Sequence, residues 1–284
     1  MTREEKMNTH KTEGKRKEAE LSTSSNTPTR PSEPRSAQTS PLVYARVAGF
    51  LYLALAVLGA FGLVYVPSMI IVAGDAAATA NNIVASESLF RLGVVSNLAT
   101  FTLNVFVAVL LYKLLEPVSK SIASLMVILI MVGLAIGMLN EVNQFAALLT
   151  LGADNLTASQ SQVLASLFLD IYEHGFTIAH IFWGLWLFPM GYLIFRSGFL
   201  PKVVGILLII AGIGYLVDFT LFMLFPDVIL NVSNFTFIGE VALIFWLLIR
   251  GVNVEQWNKR THKSDKTDLN GRDKERDKMS LSKA

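Results

Sequence analysis

Six apolar runs, separated by polar connections, occupy the middle of the chain at about 43–66, 92–115, 122–143, 171–194, 203–225 and 235–249. Most have the ~20 residues that an α-helix needs to cross roughly 30 Å of hydrocarbon. The last is the shortest and is expected to cross with little tilt or to draw its flanks inward. Pro67 marks an end or a kink of the first run, and Pro189 predicts a kink inside the fourth. Residues 68–90, rich in Ala, Asn and Ser, predict a surface helix, whereas 152–162 and 226–234 read as short polar loops. Gly198 suits a helix C-terminus and Pro201 the start of the next helix, which predicts a tight helical hairpin.

Residues 1–40 and 251–284 are polar, show no apolar periodicity and read as disordered tails. Trp257 is the one residue there suited to the headgroup level. The domain between them, 43–250, is expected to hold all the folded structure. About 40 polar residues precede the first apolar run, so that run is expected to act as an anchor rather than a cleaved signal.

Composition agrees: 52% of residues are apolar, mean hydropathy is +0.50 and only 16% are charged. The chain has 24 Lys and Arg, and all but Arg91 lie in the tails, beside their junctions with the bundle, or in two short loops. Crossing six times places nearly every cation on one face, the positive-inside arrangement. The predicted class is an all-α membrane protein, a six-transmembrane-helix bundle in a cytoplasmic membrane with N-terminus and C-terminus cytosolic. Its expected partner is the lipid bilayer, and the net charge of +2 points to no nucleic acid. There is no cysteine, which excludes disulfides, thiolate metal sites and thiol catalysis.

Small residues predict helix contacts. Gly133 and Gly137 form a G-x-x-x-G pair, while Gly184 with Gly191 and Gly205 with Gly212 are each two turns apart. Packing within one chain is the simpler reading, and a homo-oligomer through Gly133 and Gly137 is the alternative.

Polar groups within an apolar span are costly, and by default they are candidates for function. On the alternating topology they gather in the outer half of the bundle. Glu141 lies near the outer end of the third segment with Asn140, Asn143 and Gln144. Asp170, Glu173 and His174 lie at the outer end of the fourth, with His180 two turns deeper. Asp218 falls in the outer third of the fifth segment and Glu240 about one turn below the outer surface in the sixth. Arg91 opens the second, followed by Asn97 and Asn104. Asp170, Glu173, Thr177, His180 and Gly184 follow spacings of three and four, hence one helix face. The expectation is one polar crevice, open to the outside, with five carboxylates against Arg91, His174 and His180. The competing reading is that those near the interface are simply solvated.

An acidic crevice suits a small polar or cationic ligand, and no cofactor is implied. A metal-dependent intramembrane hydrolase built on His180 is the alternative, although His174 and His180, six residues apart, sit on different helix faces. A membrane scaffold acting through its tails is a third reading.

The run Gly191-Tyr192-Leu193-Ile194-Phe195-Arg196-Ser197-Gly198-Phe199-Leu200-Pro201 carries a likeness, together with Phe182-Trp183-Gly184, Gly205 to Ile209, Gly212 to Leu216 and Asp218. Leu111-Tyr112 with Pro117-Val118 adds to it. Over about 43–250 the chain resembles the prokaryotic membrane family called domain of unknown function 4386 (DUF4386). The resemblance implies a six-helix integral membrane protein and assigns no catalytic residue.

Overall fold

The computed structural model describes residues 40–264 apart from 226 and 229. The expected disordered stretches at 1–39 and 265–284 lie outside the described residues. Among the described residues all regular structure is helical. Helix α1 spans Pro41–Ile70, α2 Ala76–Ala85, α3 Glu87–Leu115, α4 Lys120–Leu151, α5 Ala158–Ser197, α6 Lys202–Leu224, α7 Ile238–Ile249 and α8 Val254–Ser264. Five of these (α1, α3, α4, α5 and α6) are long and apolar enough to cross a membrane. The count is six if the last helices, bent by 102° after Ile249, form one broken span.

The long helices close a ring in chain order, with α7 returning onto α1. α4 with α5 forms the most extensive interface, followed by α5 with α6. Small residues explain the closeness of the second pair. A Cβ added at Gly191 would lie 2.6 Å from the carbonyl oxygen of Gly205, and one at Gly184 3.0 Å from that of Gly212. The two glycine pairs therefore face each other across antiparallel helices. Gly133 lies under Phe182 and Trp183 of the same chain, and Gly137 under the Phe101 ring, so both are used within the bundle. Gly198, with φ of 77°, ends α5 in the left-handed conformation, and α6 starts after Pro201, as the hairpin signal predicts.

Several boundaries differ from the expectation. α1 passes through Pro67 to Ile70, with a π-helical turn over Ala60–Tyr65. Pro67 offers no amide to the turn behind it, and the ladder widens there rather than stopping. α5 begins at Ala158, not near Ile171. Thr157 and Gln160 form a reciprocal capping box that starts it inside the stretch expected to be a loop. At 40 residues it is roughly 60 Å long, twice what a bilayer core needs. Pro189 is accommodated inside it.

The C-terminal stretch also departs from expectation, because 254–264 is helical rather than unstructured. The Asn253 side chain caps α8 by accepting from Gln256 N–H at 3.1 Å, and Glu255 pairs with Lys259 at 2.6 Å. Trp257 is buried instead of lying at a headgroup, and its indole N–H donates to the Leu114 carbonyl at 2.9 Å. Arg260 donates to the Arg196 carbonyl at 2.7 Å. α8 thus braces the end of the bundle where Lys113, Lys120, Arg196 and Lys202 lie, called here the cationic end.

The core fills the ring from this end, through Leu111, Leu114, Met126, Ile194 and Leu200. A smaller cluster at the far end joins Val66, Ile70, Ile83, Phe90, Val94 and Leu148. Large exposed side chains such as Phe50, Val57, Phe106, Ile128, Leu139 and Ile210 cover the outside.

Candidate functional site

The far-end cluster borders a cavity of about 810 Å³. One wall is the last two turns of α1, from Gly62 to Ile70, and another is the α5 face from Ala165 to Phe176. The linker 71–75 and α2 cover it. α2 is held there by its own polar residues. Asp75 Oδ1 accepts from Ala78 N–H at 2.8 Å, the Thr79 hydroxyl accepts from Val72 N–H at 3.0 Å, and Asn82 donates to the Ile70 carbonyl at 3.0 Å. Ile83 is fully buried, so the helix expected between 68 and 90 exists and packs onto the bundle.

Behind the cavity lies a polar knot. Glu141 is 1% exposed and sits on α4 roughly 31 Å along from Lys120. Its Oε1 accepts the Tyr172 hydroxyl at 3.1 Å, and its Oε2 accepts Gln144 Nε2 at 3.0 Å. Asn97, also 1% exposed, points its amide nitrogen at the Tyr172 oxygen at 3.4 Å, while its Oδ1 has no hydrogen-bond partner. Gly62 makes room for that amide, since a Cβ there would run into Asn97 Oδ1. Gly175 does the same for Asn140, which donates to the Tyr172 carbonyl at 2.7 Å. Tyr172 and Gln144 line the cavity, whereas Glu141 is screened from it by them.

A second knot lies nearer the middle of the bundle. Glu240 accepts the Tyr52 hydroxyl at 2.5 Å on Oε2 and the Tyr215 hydroxyl at 3.0 Å on Oε1. Counting residues along α1, α6 and α7 places this group roughly 14–20 Å from the cationic end. That is deeper than the single turn below the far surface expected from the sequence. The reason is the loop before it. Asp218 accepts the Val232 and Ser233 amides at 2.5 and 2.9 Å, drawing the chain back into the bundle before the helical turn Ser233–Thr236. α7 therefore starts low and needs only 12 residues.

The single crevice expected from the sequence is divided. Asp170 and Glu173 line the cavity. Glu141 stands behind its wall, whereas Glu240 and Asp218 tie α7 and its approach to the other helices. Arg91 pairs with Glu87 of its own helix at 2.6 Å, half-exposed, and joins neither knot. His174 stacks edge-on against Phe222 at 5.0 Å, and its Nδ1 approaches the Asp170 carbonyl at 2.8 Å. His180 is surrounded by the rings of Phe176, Trp183 and Tyr215 at 4.9, 5.3 and 5.5 Å. Among the described residues no three His, Asp or Glu side chains converge as metal ligands would. Among the described residues, then, the hydrolase built on His180 finds no ligand set.

Tyr52, Tyr172 and Tyr215 are site residues that the sequence reading passed over. The available signal was a phenol inside an apolar span, which needs a partner for its hydroxyl.

A family described as Domain of unknown function (DUF4386) matches residues 47–251, which is α1 through α7. The chain belongs to that family, as the Gly191–Pro201 run indicates. An uncharacterized protein of Archaeoglobus fulgidus is 37% identical over 149 residues, covering 52% of this chain and 77% of the relative. No solved structure matches.

Proposed function

We propose that this chain crosses a cytoplasmic membrane six times, with both termini cytosolic, and that it binds a small polar ligand in the cavity at its outer end. The supporting observation is the cavity itself. Its volume of about 810 Å³ falls within the ~300–1,000 Å³ typical of ligand sites, and apolar walls surround a few converging polar groups. The cation distribution supports the orientation, since the cavity lies at the end remote from Lys113, Lys120, Arg196 and Lys202. Binding is favoured over scaffolding because the described part of the C-terminal stretch, α8, is committed to its own bundle through Trp257 and Arg260.

The test is a small-molecule thermal-shift screen on protein in nanodiscs, run beside a Ser166→Trp variant that fills the cavity from α5. Compounds that stabilise the wild-type protein and not the variant support the reading. Identical responses from the two proteins would place binding elsewhere and refute it.

A further inference from the structure

The charged side chains around the cavity share one sign. Its wall holds three carboxylates, Asp75, Asp170 and Glu173, and no Lys, Arg or His among the described residues. Asp75 is used in capping α2. Asp170 and Glu173 make no side-chain hydrogen bond or ion pair with the described residues, and both are exposed.

The deeper wall adds an acceptor. Gln144 is 8% exposed, and one N–H of its Nε2 is donated to Glu141, which leaves its second N–H and the acceptor Oε1. The Tyr172 hydroxyl hydrogen is likewise committed to Glu141. The buried carboxylate thus holds two lining side chains, taking the Tyr172 hydroxyl hydrogen and one Gln144 N–H. Low-dielectric surroundings strengthen the effect of these oriented groups on any bound charge. An anionic ligand would meet acceptors and like charge, and leaving them unpaired costs affinity.

The rest of the wall is apolar and aromatic, with Val66, Ile70, Ile83, Phe90 and Phe176. The Tyr172 and Phe176 rings, 6.0 Å apart, present aromatic surface to a cation.

We infer that the ligand is an amphiphilic organic cation. Its ammonium head is received by Asp170, Glu173 and the Gln144 carbonyl, and its apolar body lies against α1, α2 and Phe90. Glu141 is a positioning residue in this arrangement, holding the Gln144 and Tyr172 side chains at the cavity wall. The inference rests on the cavity being a ligand site.

Three water-soluble probes with one aromatic body separate charge from shape: benzyltrimethylammonium, benzyl alcohol and benzenesulfonate. A Ser166→Cys variant, in a chain that has no other cysteine, reports occupancy as slowed maleimide labelling. Protection by the cation at concentrations at least about tenfold below those needed for the other two is expected. In the Asp170→Asn/Glu173→Gln double variant that preference falls to within about twofold, with benzyl alcohol unchanged. Both side chains are exposed, so this variant keeps the fold, and a circular-dichroism melt checks that it does. Equal protection by all three probes, or preference for the sulfonate, overturns the inference and leaves the cavity as a ligand site. Protection by none of them overturns both.

Discussion

Tyr172 donates its hydroxyl to Oε1 of Glu141 at 3.1 Å, from α5 to α4, across the helix pair with the most extensive contact in the bundle. A carboxyl group that is 1% exposed depends on each of its partners, because a buried polar group left unsatisfied carries its desolvation cost. Tyr172→Phe is expected to lower stability by about 1–3 kcal/mol. Combined with Glu141→Gln, the effect should be clearly less than additive. Denaturation of the four proteins in mild detergent measures this, and additive losses would deny the coupling.

Glu240 ties three helices through Tyr52 and Tyr215. A double-mutant cycle between Tyr52→Phe and Glu240→Gln should give a coupling on the order of 0.5–3 kcal/mol. A cycle between Tyr52→Phe and Tyr172→Phe, in separate knots, should give none.

The contact of α5 with α6 rests on backbone approaching backbone. Gly191→Ala and Gly205→Ala each bring a methyl to 2.6 Å from the opposing carbonyl oxygen, and neither backbone can move alone. Each should cost roughly 1–3 kcal/mol. Gly152→Ala, whose nearest neighbour would be 3.8 Å away, should change stability by less than about 0.5 kcal/mol. Comparable melting temperatures for all three variants would contradict the packing described.

Trp257 joins α8 to the last turn of α3. Trp257→Ala removes a buried ring and the hydrogen bond to Leu114, and it should cost about 3 kcal/mol or more. It should also release 254–264 for proteolysis. Protease resistance equal to that of the wild-type protein would show that α8 is held by something else.

Particular residues show how much was legible in advance. The pairing of Gly184 with Gly212 and Gly191 with Gly205 follows from two-turn spacings on neighbouring segments, and the α5–α6 hairpin follows from Gly198 and Pro201. The helices were readable as apolar runs, but their ends were not. α5 starts at Ala158 because of a local capping box, and hydropathy does not detect one. α8 is short and polar, and its order comes from one cap, one ion pair, one buried indole and the Arg260 hydrogen bond to Arg196. The site was half legible. Asp170 and Glu173 share the cavity wall, but beyond Glu173 a helix face can continue at i+3 or at i+4. The sequence reading continued it to Thr177 and His180. The cavity wall continues it to Phe176, because α2 covers that side, while His180 turns into aromatic rings. Glu240 was read as shallow because nothing local shows that Asp218 pulls the preceding loop inward.

The central claim, a water-accessible cavity at the outer end of a membrane bundle, is tested most directly by labelling single cysteines in intact cells. Ser166→Cys should react with a membrane-impermeant maleimide applied from outside, and Lys120→Cys should react only after the membrane is opened. Labelling of Ser166→Cys only after opening, or not at all, would contradict the account.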